Sequence, residues 1–323
     1  MQNKLKGKRI LVTGCAGFIP SHLVESLLNW GVIVIGIDNL STGSKENMVN
    51  FQNNKNFQFI KEDVRNVKLV NSLIKESEYV YHGAVSGIGV STDNPIEELS
   101  VNTESTVIIL EATRKYGIKR FIYPSSASVY GNPSIIPEKE EDPAIPLSPY
   151  GVSKLAAERY CIVYHHLYGI PVVCLRYFNT YGPRQRSDSI YGGVISIFLN
   201  RALKNKQLEI YGNGMQTRDF TYITDTIEAT IQSFTSPYIS GKVINIAGGK
   251  EYSIIELAKF INKITQNKHN NIIHVEKREV DNIGRRIGDI TLAKKYLKFY
   301  PQISLETGIK ILFQWNKKYA RKI

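Results

Sequence analysis

The first 38 residues contain a strand, a glycine-containing turn, a helix and a second strand in close succession. Arg9–Thr13 is a short apolar run rich in β-branched residues, and Val32–Ile37 is another. Between them, leucines at helical spacing follow a turn that contains Gly14 and Gly17. A β-α-β unit of this length places two parallel strands side by side, with the helix packed across them. This segment therefore predicts a parallel sheet covered by helices.

The turn after the first strand has the composition of a dinucleotide site, although a plain α/β turn is the alternative. Its two glycines let backbone N–H groups at the start of the helix approach a pyrophosphate. Asp38 follows the second strand, 24 residues after Gly14, where a carboxylate accepts hydrogen bonds from both ribose hydroxyls and repels a 2′-phosphate. The pattern therefore predicts NAD rather than NADP. Pro20 replaces the third glycine of the fingerprint, and because proline is tolerated in the first turn of a helix, we expect NAD binding to be retained.

Alternation of strands and helices continues to about residue 180 and predicts a doubly wound parallel α/β sheet of the Rossmann type. We expect a helix over about 96–116. The later part of the chain predicts a smaller substrate lobe, so the division is 1–180 for the cofactor domain and 181–323 mainly for the lobe, with some segments returning to the main sheet. Further strands are predicted at Phe57–Ile60, Glu78–Tyr81, Lys119–Tyr123 and Ile170–Leu175. Polar residues follow the predicted strands at Gly14, Asp38, Asp63, His82, Ser126 and Asn179, where ligands of such sheets bind.

A tyrosine and a lysine four residues apart begin the longest predicted helix. Ser148 and Pro149 are favoured at the N-cap and at the first helical position. Tyr150 and Lys154 then lie on the same face of the helix. A free tyrosine titrates near about 10, and a nearby ammonium lowers the pKa of a phenol. The pair can thus take a proton from a hydroxyl while a hydride leaves the same carbon.

Charge and cysteine content add limits on location and partners. The net charge is +12, and the two ends, 1–9 and 316–323, carry much of it. No aromatic-interleaved basic patch indicates nucleic-acid binding, and no run of 18 apolar residues indicates a membrane span. The N-terminal segment lacks the apolar core of a signal peptide, and the three cysteines fit no metal spacing. We therefore expect a cytoplasmic protein without a metal site.

Together, these motifs resemble the extended short-chain dehydrogenase/reductases. Within that family, the chain is most similar to the NAD-dependent, UDP-glucose 4-epimerase-like nucleotide-sugar enzymes. The resemblance covers nearly the whole chain, and its motifs are more specific for the family than for the sugar. It rests on the glycine turn, Asp38-Asn39, Asp63-Val64, Ser126, Tyr150-x-x-x-Lys154, Leu175-Arg-Tyr-Phe-Asn179 and Arg218-Asp-Phe.

The resemblance implies which residues hold the cofactor. Phe18 and Ile19 would give backbone N–H groups to the pyrophosphate, Asp63 and Val64 would flank the adenine, and Lys154 would hold the nicotinamide ribose. The other residues that it places at the cofactor are Gly14, Gly17, Asp38, Asn39, Ser41, Thr42, Gly43, Ala84, Ser86, Asn102, Tyr150, Tyr177 and Phe178.

The resemblance also implies the reaction, a 4-epimerisation of a UDP-sugar through a transient 4-keto intermediate. Tyr150 would take the proton of the sugar 4-hydroxyl, and Ser126 would hydrogen-bond the same hydroxyl. Arg218 would pair with the diphosphate, a bidentate task that suits a guanidinium, or would form a surface ion pair with Asp219 instead. The residues expected at the substrate are Ser126, Tyr150, Asn179, Tyr211, Arg218, Arg278 and Arg286.

The identity of the sugar stays open at this point. UDP-glucose or UDP-galactose, an N-acetylated sugar and a uronate all suit the motifs. Ala127 and Ser128 stand where related dehydratases carry an acidic pair, and Ser128 stands where related UDP-glucuronate decarboxylases carry a glutamate. Arg285 and Arg286, however, are similar to paired arginines of the decarboxylases, so decarboxylation remains the alternative. Each arginine could bind a 6-carboxylate or pair with a neighbouring acid.

Two further expectations come from the resemblance. The long helices near 96–116 and 150–168 form a four-helix bundle between subunits in this family, so we expect a homodimer. A non-catalytic NAD-binding scaffold is a remote alternative, and the presence of Tyr150, Lys154 and Ser126 argues against it.

Overall fold

The computed structural model describes residues 2–186, 193–267, 272–276 and 283–320. The predicted strands and helices form, with ends shifted by one or a few residues. The strands in these ranges are β1 (Arg9–Thr13), β2 (Ile33–Ile37), β3 (Phe57–Ile60), β4 (Tyr79–His82), β5 (Arg120–Ser126), β6 (Val172–Tyr177), β7 (Thr180–Tyr181), β8 (Leu208–Tyr211), β9 (Thr217–Asp219), β10 (Thr221–Tyr222), β11 (Lys242–Ile246), β12 (Glu251–Ser253) and β13 (Ile272–Val275).

The helices lie between these strands, as a doubly wound sheet requires. The α-helices in the described ranges are α1 (Gln2–Leu5), α2 (Phe18–Asn29), α3 (Val67–Lys75), α4 (Ile88–Asp93), α5 (Pro95–Leu99), α6 (Ser105–Tyr116), α7 (Pro149–Tyr168), α8 (Val194–Leu203), α9 (Ile223–Thr235), α10 (Ile254–Thr265), α11 (Thr291–Leu297) and α12 (Leu305–Ala320). None of them is long and apolar enough to cross a bilayer.

The central sheet of the described chain has seven strands in the order β3-β2-β1-β4-β5-β6-β11. Every neighbouring pair is parallel. The order reverses between β1 and β4, so the crevice beyond their carboxyl ends is the topological switch point at which such sheets bind ligands. The Rossmann-type α/β prediction is therefore confirmed.

The predicted helix over about 96–116 is divided in the structure. A π-helical turn, Ser100–Glu104, separates α5 from α6. Such turns are rare and are often found at functional sites. The turn carries Asn102 into the interior, where it is 2% exposed.

The later part of the chain joins the main sheet as well as forming a lobe. β11 pairs with β6, and α9 packs against α2 and β5. Three small sheets build the lobe: β7 with β10, β9 with β12, and β8 with β13. One apolar core extends from Ile10 in β1 to Leu312 in α12. The separation into 1–180 and 181–323 stays a prediction, because this core is shared.

The glycine turn and α2 meet β4 at a close approach. Pro20 is the third residue of α2 and is buried. A Cβ added to Gly83, directly after β4, would lie 2.8 Å from the Cγ of Pro20. The missing third glycine of the fingerprint is thus accommodated by the absence of a side chain on Gly83.

Candidate active site

The switch point between β1 and β4 is held by a buried hydrogen-bond chain. Thr13 Oγ1 lies 2.8 Å from His82 Nδ1 and accepts a hydrogen bond of 3.0 Å from the backbone N–H of Ala84. Burial lowers the pKa of His82 to about 3, so its ring is neutral. A Cβ on Gly14 would lie 2.8 Å from the Cα of Ala84. Gly14 and Ala84, both predicted at the cofactor, are therefore neighbours across the crevice.

The first turn of α2 opens on this crevice. Gly17 is its N-cap residue, and Phe18 and Ile19 are its first two helical residues. By position, their N–H groups have no intrahelical acceptor. A Cβ on Gly17 would lie 3.0 Å from the carbonyl oxygen of Gly14. The turn thus presents backbone donors in the arrangement that a pyrophosphate requires.

Asp38 lies directly beside this cradle. Its Oδ2 accepts a hydrogen bond from the backbone N–H of Ala16 at 2.9 Å, and its Oδ1 accepts one from Leu40 at 2.7 Å. Burial raises the pKa of this carboxyl, and the two N–H groups oppose that rise. A Cβ on Gly43 would lie 2.9 Å from Oδ2. Each carboxylate oxygen keeps lone-pair capacity for a ribose hydroxyl.

The residues predicted at the adenosine end also lie together. Asn39 donates to Asp63 at 3.0 Å and accepts from the N–H of Ser41 at 2.9 Å. Hydrogen bonds from Arg65 lower the pKa of Asp63 to about 2. Val64 is buried beside Asp63.

A cavity of about 510 Å³ adjoins this end of the site. It lies away from Tyr150, and its position, between the loop after β2 and α12, was not predicted from the sequence. Arg184 in its wall pairs with Glu25, and its Nη1 has no partner among the described residues. The cavity is lined by Ser41, Thr42, Gly43, Ser44, Asn47, Arg184, Gln185, Arg186, Ser196, Leu312, Trp315 and Asn316.

The first turn of α7 brings the predicted catalytic residues together. The Ser148 side chain caps the helix by accepting from the N–H of Gly151 at 3.2 Å. A Cβ on Gly151 would lie 2.8 Å from the carbonyl oxygen of Ser128, so the turn rests on the segment that follows Ser126. Ser126 ends β5 and its Oγ accepts from the N–H of Ser128 at 3.1 Å. Tyr150 and Ser126 are both partly exposed at this meeting point.

Lys154 lies one turn deeper in α7. The residue is 4% exposed, and its Nζ lies 4.3 Å from the centre of the Tyr123 ring. Burial lowers the pKa of Lys154 to about 8, and nearby acidic groups that include Glu98 oppose that change. The ammonium is therefore held in a poorly solvated place, where its effect on neighbouring groups is strong.

Ser86 and Asn102 are hydrogen-bonded to each other in the described structure. The Asn102 amide accepts from the Ser86 N–H at 2.8 Å and donates to the Ser86 carbonyl at 3.0 Å. Ser86 lies two residues after Ala84, so Asn102 fixes the loop that borders the cofactor crevice. This is a supporting position, and a direct cofactor contact by Asn102 stays a prediction.

The two aromatic residues predicted near the nicotinamide differ in exposure. Tyr177 pairs with Ser126 in the register of β5 and β6 and is 7% exposed. Phe178 is completely buried and packs against Tyr130 and Ala247. The Phe178 side chain therefore has no exposed surface in this structure, and a contact of Phe178 with the cofactor stays a prediction. Sequence pattern could not show this, because the residues that cover Phe178 are distant in the chain.

Asn179 and Arg218 come together at the start of the lobe. Asn179 has a positive φ of 32° and donates to the carbonyl oxygen of Asp219 at 2.8 Å. Arg218 donates to the carbonyl oxygens of Thr217 at 2.7 Å and Ile283 at 2.9 Å. These two predicted diphosphate ligands therefore flank one residue, Asp219.

Asp219 has a structural role that the sequence did not reveal. It is fully buried and accepts from the N–H groups of Gly248 at 2.7 Å, Gly249 at 3.0 Å and Gly288 at 3.2 Å. Burial raises its pKa to about 7. The surface ion pair with Arg218, considered from the sequence, is absent from the described structure. The adjacent Gly248-Gly249 pair was the available signal.

Both paired arginines have acidic partners. Arg285 pairs with Glu251 at the surface. Arg286 is 3% exposed, and its Nε lies 3.3 Å from Glu138 Oε1. Burial raises the pKa of Glu138 to about 7 in spite of Arg286. A contact of Arg286 with substrate stays a prediction that would require a change of partner.

Two other predicted substrate residues complete the set. Tyr211 ends β8 and is partly exposed. Arg278 lies outside the described residues. The prediction for each of them stands untested.

Comparison with known proteins shows the family of this chain. The family model of GDP-mannose 4,6 dehydratase matches residues 11–312. The putative UDP-glucose 4-epimerase of Methanocaldococcus jannaschii is 39% identical, over 97% of this chain and 99% of that protein. The UDP-N-acetyl-alpha-D-glucosaminuronate decarboxylase of Bacillus cytotoxicus is 35% identical, over 96% and 98%. A crystal structure of the UDP-glucuronic acid 4-epimerase of Bacillus cereus, in complex with UDP-glucuronic acid and NAD, has a TM-score of 0.89 and 36% identity, over 96% and 99%.

These matches cover nearly the whole chain. The chain belongs to the GDP-mannose 4,6 dehydratase family of short-chain dehydrogenase/reductase-type nucleotide-sugar enzymes.

Proposed function

We propose that this protein is an NAD-dependent isomerase that interconverts the 4-epimers of a UDP-sugar. The observation that carries the proposal is the convergence of Tyr150, Lys154 and Ser126 at one edge of the sheet. The Gly151–Ser128 contact fixes that convergence, and the glycine cradle at the start of α2 opens on the same edge. The relatives named above are epimerases and a decarboxylase acting on UDP-sugars, which supports the same reading.

The residues present fit NAD. Gly14 and Gly17 leave the space that a Cβ would fill, Phe18 and Ile19 present backbone N–H groups, and Asp38 offers carboxylate oxygens for the ribose. When bound, NAD supplies the acceptor for the hydride of the sugar C4. Asp38 would repel a 2′-phosphate, which supports NAD over NADP.

The side chains of this protein carry the proton transfer. Tyr150 takes the proton of the 4-hydroxyl as general base and later returns it. The Lys154 ammonium stabilises the phenolate form of Tyr150 and donates to the ribose of the cofactor. Ser126 donates to or accepts from the 4-oxygen, which it shares with Tyr150, and so orients the sugar.

Epimerisation also requires that the diphosphate be bound firmly and the sugar loosely. Arg218 and Asn179 would hold the diphosphate, while the sugar turns over between oxidation and reduction and presents its other face. The hydrogen bonds of Arg218 to carbonyl oxygens and the Asn179–Asp219 bond support this role, because they hold the two residues on either side of Asp219. The reaction is redox-neutral, so the cofactor can remain bound through many turnovers.

Proton NMR of the purified protein with NAD tests the proposal. A mixture of UDP-glucose, UDP-N-acetylglucosamine and UDP-glucuronate should give one new anomeric signal, that of a 4-epimer. Tyr150→Phe should lower turnover by at least about 100-fold and leave NAD bound. Tyr300→Phe, at an exposed tyrosine, is the matched control. A wild-type protein as inactive as Tyr150→Phe on every nucleotide sugar would favour a scaffold.

Decarboxylation of a UDP-uronate is the second candidate, and the Bacillus cytotoxicus relative supports it. Against it, Arg285 and Arg286 pair with Glu251 and Glu138, so each guanidinium already has a carboxylate partner. Ser128 offers a hydroxyl where the decarboxylases have a glutamate. A pentose signal in the same NMR experiment would move the assignment to this reaction.

We also propose that the protein is a cytoplasmic homodimer. The outer surfaces of α5 and α7 expose large apolar side chains, among them Ile96 (80%) and Leu167 (67%). Burial of such a surface against a second copy would stabilise the pair. The cysteines are unpaired and buried, which suits a reducing compartment. Sedimentation as a monomer at micromolar concentration would contradict the dimer.

A further inference from the structure

Glu98 differs from Glu138 and Glu158, the other buried glutamates of the described residues, because it lacks a cationic partner. It is 1% exposed and lies in α5. Glu158 pairs with Arg176, and Glu138 pairs with Arg286. Within the described ranges, no cation lies within 4.0 Å of Glu98. Its partners are neutral: the Ser153 hydroxyl and the Asn102 amide both donate to its Oε1.

Each of these two partners forms further hydrogen bonds toward the candidate active site. Ser153 precedes Lys154 in α7, and its carbonyl oxygen accepts from the Thr103 hydroxyl at 3.2 Å. Asn102 brackets the backbone of Ser86 with bonds of 2.8 and 3.0 Å and donates to Ser153 at 3.1 Å. One carboxylate oxygen thus joins the lysine-bearing turn of α7 to the loop that borders the cofactor crevice.

The π-helical turn makes this arrangement possible. Glu98 and Asn102 are four residues apart, on either side of the junction between α5 and the turn. The wider turn carries both Asn102 and Thr103 to the α7 side, where they bond Ser153. A rare backbone form that serves one internal network is consistent with a functional constraint.

We propose that Glu98 is a positioning residue for the proposed reaction: its charge favours the Lys154 ammonium, and its two hydrogen bonds fix α7 against the cofactor loop. This inference rests on the proposed role of Lys154. A negative charge in a poorly solvated region acts strongly on a nearby ammonium, even without a direct contact. The carboxylate is also the common acceptor of Ser153 and Asn102.

The test measures NADH binding by fluorescence and turnover by NMR, from pH 6.5 to 9.5, for purified full-length protein. Glu98→Gln keeps an acceptor oxygen and removes the charge. Glu104→Gln is the matched control, because it removes the same charge from an exposed position at the end of the π-helical turn. Thermal melts of each variant show whether it is folded.

We expect the loss of NADH affinity at high pH to occur at a pH lower by about half a unit or more in Glu98→Gln, and to be unchanged in Glu104→Gln. Glu98→Ala removes the common acceptor of Ser153 and Asn102, so α7 is held less firmly against the cofactor loop, and it should weaken NADH binding roughly 10-fold. A pH profile of Glu98→Gln that superimposes on the wild type would overturn the inference, even if stability falls.

The same data separate this inference from the proposed function. If the wild type binds NADH but turns over no UDP-sugar, the proposed reaction fails, while the pH profile of binding still decides the role of Glu98. If turnover is present and the profiles coincide, the reaction stands and the inference about Glu98 is wrong.

Discussion

The Lys154 ammonium rests on the face of the Tyr123 ring, with 4.3 Å between Nζ and the ring centre. The Tyr123 hydroxyl is buried and has no hydrogen-bond partner among the described residues. Tyr123→Phe keeps the ring and removes an unsatisfied group, so we expect unfolding free energy to stay level or rise by up to about 1 kcal/mol. Chemical denaturation measures this unfolding free energy. Turnover should stay within about twofold of the wild-type value.

Tyr123→Leu should behave differently, because it removes the ring that faces the ammonium. We expect weaker NAD binding, by a few-fold up to about 30-fold, consistent with the usual strength of a desolvated cation–π contact. Isothermal titration with NAD compares the leucine and phenylalanine variants. Equal affinity in the two variants would contradict a role for the ring.

The pH dependence of cofactor binding should follow Lys154. Burial lowers its pKa to about 8, so the ammonium is present below that pH and is lost as the pH rises through it. NADH affinity should therefore fall between about pH 7.5 and 9. Lys154→Met should abolish this dependence and show low affinity at every pH. A wild-type NADH affinity that stays constant up to pH 9.5 would contradict this expectation.

The contribution of Lys154 to folding stability has the opposite pH dependence from its contribution to cofactor binding. The unfolded chain keeps the lysine proton to about pH 10.4, whereas the folded chain loses it near 8. Between these values the unfolded state binds more protons, so this group makes stability rise with pH. Comparing urea midpoints of wild type and Lys154→Met at pH 8 and 9.5 isolates the effect.

Gly14 and Gly7 provide a matched pair for testing the cofactor cradle. Both have positive φ, 67° and 71°, but a Cβ on Gly14 would lie 2.8 Å from Ala84 Cα, whereas one on Gly7 meets nothing within 4 Å. Gly7→Ala should lose about 1 kcal/mol of stability from backbone strain, and Gly14→Ala should lose more because its Cβ would also clash with the Ala84 backbone. Only Gly14→Ala should also lose NAD affinity, by at least about 10-fold. Equal NAD binding by both variants would place the cofactor elsewhere.

Asp219 should be critical for stability. Asp219→Ala leaves the N–H groups of Gly248, Gly249 and Gly288 without their acceptor in a buried place. We expect a loss of about 3 kcal/mol or more, measured by urea unfolding. Asp93→Ala, at an exposed position, should change stability by less than about 0.5 kcal/mol. Similar losses in both variants would refute the anchoring role.

The sequence predicted the sheet well because the signals of its strands and helices are local. Strand patterns, the glycine turn, Asp38 and the Tyr150–Lys154 spacing are each contained in short stretches. A parallel sheet then brings residues that follow its strands to a common edge. Because Ser126 ends β5, the same reasoning predicts it at that edge, and its contact with the sugar stays a prediction.

The sequence could not predict partners that tertiary packing selects. Arg286 pairs with Glu138, 148 positions away, and no local pattern joins them. Phe178 follows a strand end like its neighbours, yet the packing of Tyr130 and Ala247 covers it completely. Glu98 reads as one of two adjacent helix acids, and only the π-helical turn distinguishes the buried one from Glu97.

Pro20 and Gly83 show that the dinucleotide fingerprint describes a shape as well as a string of residues. In this chain the proline ring is on the helix, and the residue without a side chain directly follows the strand. The distance between Pro20 Cγ and the point where a Cβ of Gly83 would be is 2.8 Å. A linear sequence motif registers only that position 20 is not a glycine. Read across the crevice, the helix and the strand still meet at a glycine, so the requirement has moved from one side of the contact to the other.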